Sequence, residues 1–501
     1  MGQCHPSTPD QRAQWTAVML AQRGTYGLVT RLSRQSGVSR PTLYAWRAQA
    51  EQALLQTFRP PARRSAISPM LERQVLTVWS AHSSDRDIQT CFRALAQRGI
   101  GLPTITAILT EAEQRALRYL ATHMPASVRA VALDEIYAND RRGAYLNMVD
   151  VHSGAVWASV GPVPVDTDSW TLLLWESQDH GLSYDRAVMD GGAAARAACQ
   201  YVHPALPIQA DQWHVLHSCA HLQGQLDRKV RDLRSGTAVV ARQAARVAAG
   251  LRPKGRNPQT DLAAHAAHLA AAERVAEGVR YLMQELRKLL SVVVLDHRGV
   301  LDARQRQAEL ESLLLLLAET AESADAPGQG LVRRLHQTVT DALPGLLTFV
   351  AHLAQLQADL QPVLGSERQA LLGWAWLRRK RLGWSSEQIL AAIPVEWQAA
   401  ARMLLTAWDD AVRVSTAVER WHSILRTHLS VHRTLSPGRL ALLVVWHNHR
   451  VFTRGVHKGQ NPLQLSGITD APTDWLVALG YPPASSDEAP MPIVPALALA
   501  A

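Results

Sequence analysis

At 501 residues the chain is too long for a single hydrophobic core, and we expect two to four domains. Its 52 lysine and arginine residues outnumber its 43 aspartate and glutamate residues, which favours a polyanionic partner such as nucleic acid. The four cysteines lack CxxC spacing, which argues against a disulfide framework, and no apolar run is long enough to cross a bilayer. Without a signal-peptide pattern, these features predict a soluble intracellular protein.

Residues 1–57 predict a helix-turn-helix DNA-binding domain. Apolar residues at three- and four-residue spacing indicate helices within 11–24 and 26–37, and a third helix follows Ser39. Ser39 suits a helix N-cap, and Pro41 suits the first helical turn. A glycine-containing turn into a third helix is how a helix-turn-helix motif presents its recognition helix to the major groove.

The early part of this third helix carries the side chains that we expect to meet DNA. They are Arg40, Thr42, Tyr44 and Arg47. We expect all four to be exposed, where they can reach base edges and phosphates. A small helical bundle without a ligand is the alternative interpretation.

A linker over 58–68, rich in proline and arginine, leads to a second helix-turn-helix-like domain over 69–122. The segment 99–105 repeats the pattern of 37–43: glycine, an aliphatic residue, two free positions, proline, threonine and an aliphatic residue. The second copy has Leu102 where the first has an arginine, which suits packing better than reading DNA. DNA binding by the second copy is therefore open.

Residues 128–214 predict a mixed sheet whose strands alternate in part with helices. Three short β-type segments lie close together, and two further strands each follow a helix. The predicted strands lie within 128–137, 143–154, 155–163, 185–190 and 206–211, and the helices within 166–181 and 191–204. This order of three strands, helix, strand, helix and strand is the ribonuclease H-like arrangement.

The remainder of the chain is predicted to be largely helical. Residues 215–412 are rich in alanine, leucine and arginine and have almost no strand signal, which predicts an all-α insertion domain. Residues 413–467 predict helices that complete the core. The C-terminal segment 468–501 has a tail from about 482 whose proline and alanine content predicts disorder. The expected fold class is multidomain α+β, with an all-α insertion in the catalytic core.

Three acidic residues carry the strongest chemical signal. Asp134 and Asp190 each end a short apolar run that predicts a buried strand, and Glu419 lies on a later amphipathic helix. Three converging carboxylates repel one another unless divalent cations neutralise them, and oxygen ligands suit Mg²⁺, for which Mn²⁺ can substitute. Two such ions would activate a water or a DNA 3′-hydroxyl and stabilise the leaving oxygen of a phosphoryl displacement.

Other acidic residues compete for these roles. Asp150 is better explained by a turn between strands, whereas Asp211 ends an apolar strand and rivals Asp190. The two glycines after Asp190 let backbone or substrate approach closely, which favours Asp190. Asp211 and His214 form an Asp-x-x-His pattern. This pattern predicts either an N-capping aspartate with a packed histidine or support for the metal site.

The helix that carries Glu419 offers two further candidates. His422 and Arg426 share its face, and His422 is a candidate to support the metal site. For Arg426, a DNA contact and a surface salt bridge are both open. The end of the last helix supplies candidate contacts to the DNA backbone, namely Arg450, Arg454 and Lys458.

Taken in order, these motifs resemble a DDE transposase of a bacterial insertion sequence. The motifs are LDE, MD with glycines, ADxWH, a helical insertion, VERxHSxLR and NxRxFxRGxxKGxxPLxL, and the resemblance covers about residues 1–467. The most similar group has a helical insertion between the second aspartate and the glutamate. The resemblance implies a ribonuclease H-like core with Asp134, Asp190 and Glu419 as the catalytic triad, and Mg²⁺ as the cofactor.

The resemblance also implies the partners. The N-terminal module would read terminal inverted repeats, and a homodimer or larger assembly would act on transposon ends and target DNA in the bacterial cytoplasm, at the nucleoid and away from membranes. The pair of helix-turn-helix units is a departure, because many relatives carry a zinc-binding module there. Two alternatives are a DNA-binding regulator that has lost catalysis and a ribonuclease H-like nuclease without strand transfer.

Overall fold

The computed structural model describes most of the chain as a mixed α/β structure. The described residues are 8–23, 25, 27–57, 67–97, 99–124, 127–138, 143–255, 258–297, 299–455 and 457–483. Most of the predicted linker and the predicted disordered tail beyond Pro483 lie outside these residues. The chain divides into two compact units, one with residues 1–184, 197–204 and 416–501, and the other with residues 185–196 and 205–415.

The first unit begins with the three predicted helices, α1 (Pro9–Ala21), α2 (Leu28–Ser36) and α3 (Arg40–Thr57). They enclose a small core that includes Met19, Leu32 and Leu43. Gly37 ends α2 with a φ of 69°, a left-handed conformation that glycine adopts without strain. The Ser39 hydroxyl then accepts a hydrogen bond from the backbone N–H of Thr42 at 3.3 Å. The predicted N-cap at Ser39 is thereby confirmed.

A second group of three helices follows, α4 (Pro69–Ser80), α5 (Asp85–Leu95) and α6 (Leu102–Leu120). Arg40 and Leu102, which occupy matching positions in the sequence repeat, begin the third helix of their respective groups. Ile105 is fully buried, but Leu102 is 37% exposed. Leu102 is therefore packed only in part, and DNA binding by this second group of helices stays open.

The five strands predicted for the core are present. They are β1 (Ser127–Tyr137), β2 (Ala144–Asp150), β3 (Val156–Val163), β4 (Ser183–Met189) and β5 (Ile208–Ala210), with α7 (Thr167–Asp179) before β4 and α8 (Ala193–Val202) before β5. The strand order is β3-β2-β1-β4-β5. The β1–β2 and β2–β3 pairs are antiparallel and the β4–β5 pair is parallel, so the sheet is mixed.

The second unit is almost entirely helical between α9 and α15. Its helices are α9 (Gln212–Ala248), α10 (Leu262–Leu289), α11 (Ala303–Ser323), α12 (Ala326–Leu346), α13 (Thr348–Leu382), α14 (Ser386–Ala391) and α15 (Val395–Asp409). The expectation of an all-α segment is corrected by a short antiparallel hairpin, β6 (Leu295–Asp296) and β7 (Gly299–Val300). Such short strands leave no periodic signal in a sequence.

The second unit has an apolar interior of its own, built mainly from leucine and valine of these helices and including Trp408. Among the described helices, none by itself has the length and apolar character needed to cross a membrane. Within the part of the chain that the structure describes, one bent pair reaches that length and composition, namely Gly328–Leu346 of α12 with Thr348–Leu382 of α13, at an angle of 42°.

The chain then returns to the first unit with α16 (Thr416–Val431), α17 (Pro437–His449), α18 (Pro462–Leu465) and α19 (Trp475–Ala478). The predicted inward residues of α16, Val418, Trp421 and Leu425, are fully buried. They join one core with residues of α4–α6, β1, β2 and α17. This packing holds α16 against β1 and β2.

Acid should destabilise the first unit because histidines in its interior resist protonation. Burial lowers the pKa of His428 to about 3 and of His447 to about 4, from an ordinary value of 6.5. Burial also lowers the pKa values of His82, His432 and His449. Below pH 6.5 these histidines bind protons in the unfolded chain but not in the folded chain. Their contribution to the free energy of unfolding is therefore fully present above pH 6.5 and is lost as the pH falls.

His428 and His447 should each remove about 1.4 kcal/mol of stability per pH unit between pH 6.5 and about pH 4. We expect the thermal midpoint to fall steadily from pH 7 to pH 4, and His428→Phe to reduce this slope. An identical slope in the variant and the parent would contradict the assignment to His428.

Candidate metal centre

Asp134 lies inside strand β1. The prediction that it ends its strand is wrong, because pairing with β2 continues from Asp134↔Asn147 to Tyr137↔Ala144. The side chain is only 9% exposed. One carboxylate oxygen, Oδ1, accepts a hydrogen bond from the backbone N–H of Glu135 at 2.9 Å. A buried carboxylate on a rigid central strand is thereby held in a fixed position.

Helix α16 brings Glu419 and His422 to Asp134. Possible ligand atoms of these three side chains lie within 4.8 Å of one another. The His422 Nδ1 atom is 3.6 Å from the Asp134 Oδ2 atom. His422 is buried, whereas Glu419 is only half-buried and stays accessible from outside. The expectation that His422 shares a helix face with Glu419 beside the acidic site is confirmed.

Asn147 connects this group to the protein interior, and it was not among the residues predicted from the sequence. It is fully buried and lies directly opposite Asp134 on β2. Its amide nitrogen is 3.1 Å from the His422 Nε2 atom, and its amide oxygen accepts a hydrogen bond from the Trp421 indole at 2.7 Å. A polar amide inside the apolar run of β2 is the sequence signal that could have revealed it.

The donor set of this site suits a hard divalent cation. Two carboxylates converge, one of them buried, and their mutual repulsion is relieved when a cation lies between them. Oxygen ligands of this kind are the ones that Mg²⁺ and Mn²⁺ prefer. Asp134 and Glu419 therefore fit a metal ion on the basis of their own geometry.

Asp190 belongs to the second unit and follows the last residue of β4 directly, as predicted. One carboxylate oxygen, Oδ1, accepts a hydrogen bond from the backbone N–H of Gly192 at 2.9 Å. A Cβ atom at residue 192 would come within 3.0 Å of that same oxygen. A glycine at this position therefore leaves room for the carboxylate in the turn between β4 and α8.

Asp211, also in the second unit, is a helix cap. Its Oδ1 atom accepts hydrogen bonds from the backbone N–H groups of Trp213 at 2.7 Å and His214 at 3.4 Å. Its Oδ2 atom accepts from the backbone N–H of Ser415 at 2.9 Å and from the Ser415 hydroxyl. The N-capping alternative is confirmed, and support of the metal site by Asp211 and His214 stays a prediction. These contacts use both oxygens, which favours Asp190 over Asp211 as a metal ligand.

The Asp211 contacts also join the two ends of the helical segment. Residues 212 and 415 stand at its two ends, and the backbone N–H of Gln212 donates to the Arg413 carbonyl at 3.0 Å. The His214 Nε2 atom is 3.9 Å from the Asp211 Oδ2 atom. Asp211, through its contacts with Ser415, therefore joins the start of the helical segment to its end.

Asp150 is a turn residue, as predicted. Its carboxylate accepts hydrogen bonds from the backbone N–H groups of His152 at 3.2 Å and Ser153 at 3.1 Å, and from the Ser153 hydroxyl. Its backbone carbonyl accepts from Gly154 at 2.9 Å. This carboxylate is occupied in holding the turn between β2 and β3.

The expected DNA-reading side chains of α3 are less exposed than the sequence suggested. The Arg40 guanidinium lies 4.0 Å from the centre of the Trp175 ring on α7. The pKa of Tyr44 is raised well above its ordinary value by burial and by nearby Glu176, also on α7. Arg40, Thr42, Tyr44 and Arg47 are all partly covered. The expectation of full exposure is wrong because the start of α3 packs against α7.

The C-terminal candidates for DNA contact are on the surface. The side chain of Arg426 is 60% exposed, and its Nη1 atom is 3.8 Å from the Glu419 Oε2 atom. Arg450, which follows α17, stacks 5.2 Å from the centre of the Trp446 ring. Arg454 and Lys458 are exposed in the loop beyond it. These four cations are accessible to a phosphate backbone.

Comparison with models of known protein families and with curated proteins found no match to this chain.

Proposed function

We propose that this protein is a DNA transposase that binds terminal inverted repeats and catalyses metal-dependent DNA cleavage and strand transfer. The observation that carries the proposal is the convergence of Asp134 and Glu419, beside His422, within 4.8 Å. The strand order β3-β2-β1-β4-β5, with antiparallel pairs at one edge and a parallel pair at the other, supports a ribonuclease H-like core.

In this proposal Asp134, Asp190 and Glu419 hold two Mg²⁺ ions, for which Mn²⁺ can substitute. Such ions activate a water or a DNA 3′-hydroxyl and stabilise the leaving oxygen of an in-line displacement. Asp134 is the central ligand, because β1 and the Glu135 N–H fix its position. Glu419 reaches the site from the accessible side of α16, where DNA can approach.

We propose a separate function for each part of the chain, in sequence order. Residues 1–57 bind the transposon end as a helix-turn-helix domain, residues 69–122 form a related helical domain, and residues 215–412 are an insertion in the catalytic core. Exposed cations of the C-terminal part hold the DNA backbone, namely Arg426, Arg450, Arg454 and Lys458. We propose that a homodimer or larger assembly acts on paired DNA ends at the nucleoid.

One assay separates this function from its alternatives. Purified protein is incubated with Mg²⁺ and labelled DNA that carries the inverted repeats flanking its gene. We expect binding, cleavage at the repeat ends and joining of the new 3′-hydroxyls to target DNA. Binding without cleavage would identify a regulator, and cleavage without joining would identify a nuclease. Either result would overturn the proposal.

A further inference from the structure

The side-chain amide of Asn147 can adopt only one orientation. Its oxygen lies 2.7 Å from the Trp421 indole nitrogen, which can only donate a hydrogen bond, and it also accepts from the Ser159 hydroxyl at 2.8 Å. Its nitrogen donates to the Tyr145 carbonyl at 2.9 Å and lies 3.4 Å from the Asp134 carbonyl. A flipped amide would place two donors face to face at Trp421 and an oxygen against two carbonyls.

This orientation determines where the imidazole of His422 carries its proton. The Asn147 nitrogen, a donor only, lies 3.1 Å from the His422 Nε2 atom, so Nε2 must accept with its lone pair. The ring proton is then on Nδ1, which faces the Asp134 Oδ2 atom at 3.6 Å. That distance is longer than a hydrogen bond, and a shift of a few tenths of an ångström would close it.

From this network we propose that Asn147 locks His422 in the Nδ1-protonated form, and that His422 positions the Asp134 carboxylate instead of ligating metal. A histidine nitrogen would need its lone pair to bind a metal ion, and here Nδ1, the nitrogen on the Asp134 side, carries the proton. The proposal rests on the proposed function for the role of Asp134. The protonation pattern itself follows from the hydrogen bonds alone.

The Nδ1-protonated form of His422 explains how the buried Asp134 carboxylate is positioned, because an N–H group lies beside each of its two oxygens. The Glu135 backbone N–H donates to Oδ1 at 2.9 Å, and the His422 Nδ1–H faces Oδ2. The hydrogen bond on Oδ1 and the His422 ring beside Oδ2 restrict rotation of the carboxylate. Such supporting donors change metal affinity or activity by about 10–100-fold when they are removed.

Nitrogen NMR of ¹⁵N-histidine-labelled protein tests the lock without any activity. The His422 signals are identified by their loss in His422→Asn. We expect the Nδ1 signal to be that of a protonated ring nitrogen and the Nε2 signal that of an unprotonated one, before and after Mg²⁺ is added. A protonated Nε2, or loss of the Nδ1 proton when Mg²⁺ is added, would overturn the proposal.

Asn147→Asp is a matched variant of nearly equal shape. Its carboxylate accepts from both Trp421 and His422, so it should move the histidine proton to Nε2 and turn an unprotonated Nδ1 towards Asp134. We expect the NMR pattern of His422 to reverse. An unchanged pattern in a folded variant would contradict the lock, and the measurement on the parent protein decides the case if this variant does not fold.

Cleavage assays test the positioning role. His422→Leu should lower Mg²⁺-dependent cleavage about 100-fold, whereas His422→Asn should recover about tenfold, because its amide nitrogen can replace Nδ1 as a donor. Equal activities in the two variants would argue against a donor role. If the parent protein cuts no DNA, the proposed function fails, and the NMR result on the lock remains valid by itself.

Discussion

Asp134→Asn should abolish Mg²⁺-dependent DNA cleavage, with a loss of at least about a thousandfold. The change removes the charge of the central carboxylate and keeps its shape, so DNA binding and the thermal midpoint should remain near those of the parent. Cleavage is measured on end-labelled DNA under single-turnover conditions, and binding is measured by gel mobility shift.

The neighbouring carboxylate provides a matched control. Glu135 follows Asp134 in β1, and strand alternation directs its side chain to the other face of the sheet. Glu135→Gln removes the same charge and leaves the backbone N–H that contacts Asp134, so cleavage should change less than about threefold. Substantial cutting by Asp134→Asn, or an equal loss in Glu135→Gln, would refute the assignment of Asp134.

Of the substitutions proposed for this protein, Asp211→Ala should lower the free energy of unfolding most. The carboxylate caps α9 with one oxygen and binds Ser415 with the other, and its side chain is 2% exposed. Removal leaves buried N–H groups without an acceptor and opens the base of the helical segment. We expect a loss of about 2–4 kcal/mol in the free energy of unfolding, measured by urea denaturation.

Ser415→Ala removes only the hydroxyl donor and keeps the backbone N–H, so it should cost about 1 kcal/mol. The unfolding midpoint and the cleavage activity of Asp211→Ala together distinguish a structural aspartate from a metal ligand. A normal unfolding midpoint in Asp211→Ala, together with complete loss of cleavage, would show that Asp211 and not Asp190 belongs with the metals.

The sequence predicted the elements of the fold better than the contacts between them. The five strands have alternating or continuous apolar character, and turn residues separate them, so their existence follows from local periodicity. Asp134 was expected to end its strand because it interrupts the apolar run, whereas pairing with β2 continues to Tyr137, the last residue of the predicted segment. Strand pairing depends on the partner, which a single segment does not reveal.

The candidate site was predicted in part for the same reason. Asp134 and Glu419 are marked by their residue type and context, and His422 by its helical spacing from Glu419. Asn147 was missed because its role depends on the register that places it opposite Asp134. The join between Asp211 and Ser415 links positions far apart in the chain, and only the folded structure reveals it.

The proposal that metal ions act directly on DNA is tested most directly by a sulfur substitution at the cleaved phosphate. One non-bridging oxygen of that phosphate is replaced by sulfur, and cleavage rates are compared in Mg²⁺ and Mn²⁺. Because Mn²⁺ accepts sulfur better than the harder Mg²⁺, we predict a large rate loss in Mg²⁺ for at least one diastereomer and recovery in Mn²⁺. Equal rates for sulfur and oxygen substrates in Mg²⁺, or a loss that Mn²⁺ does not reverse, would contradict a metal-ion mechanism at Asp134 and Glu419.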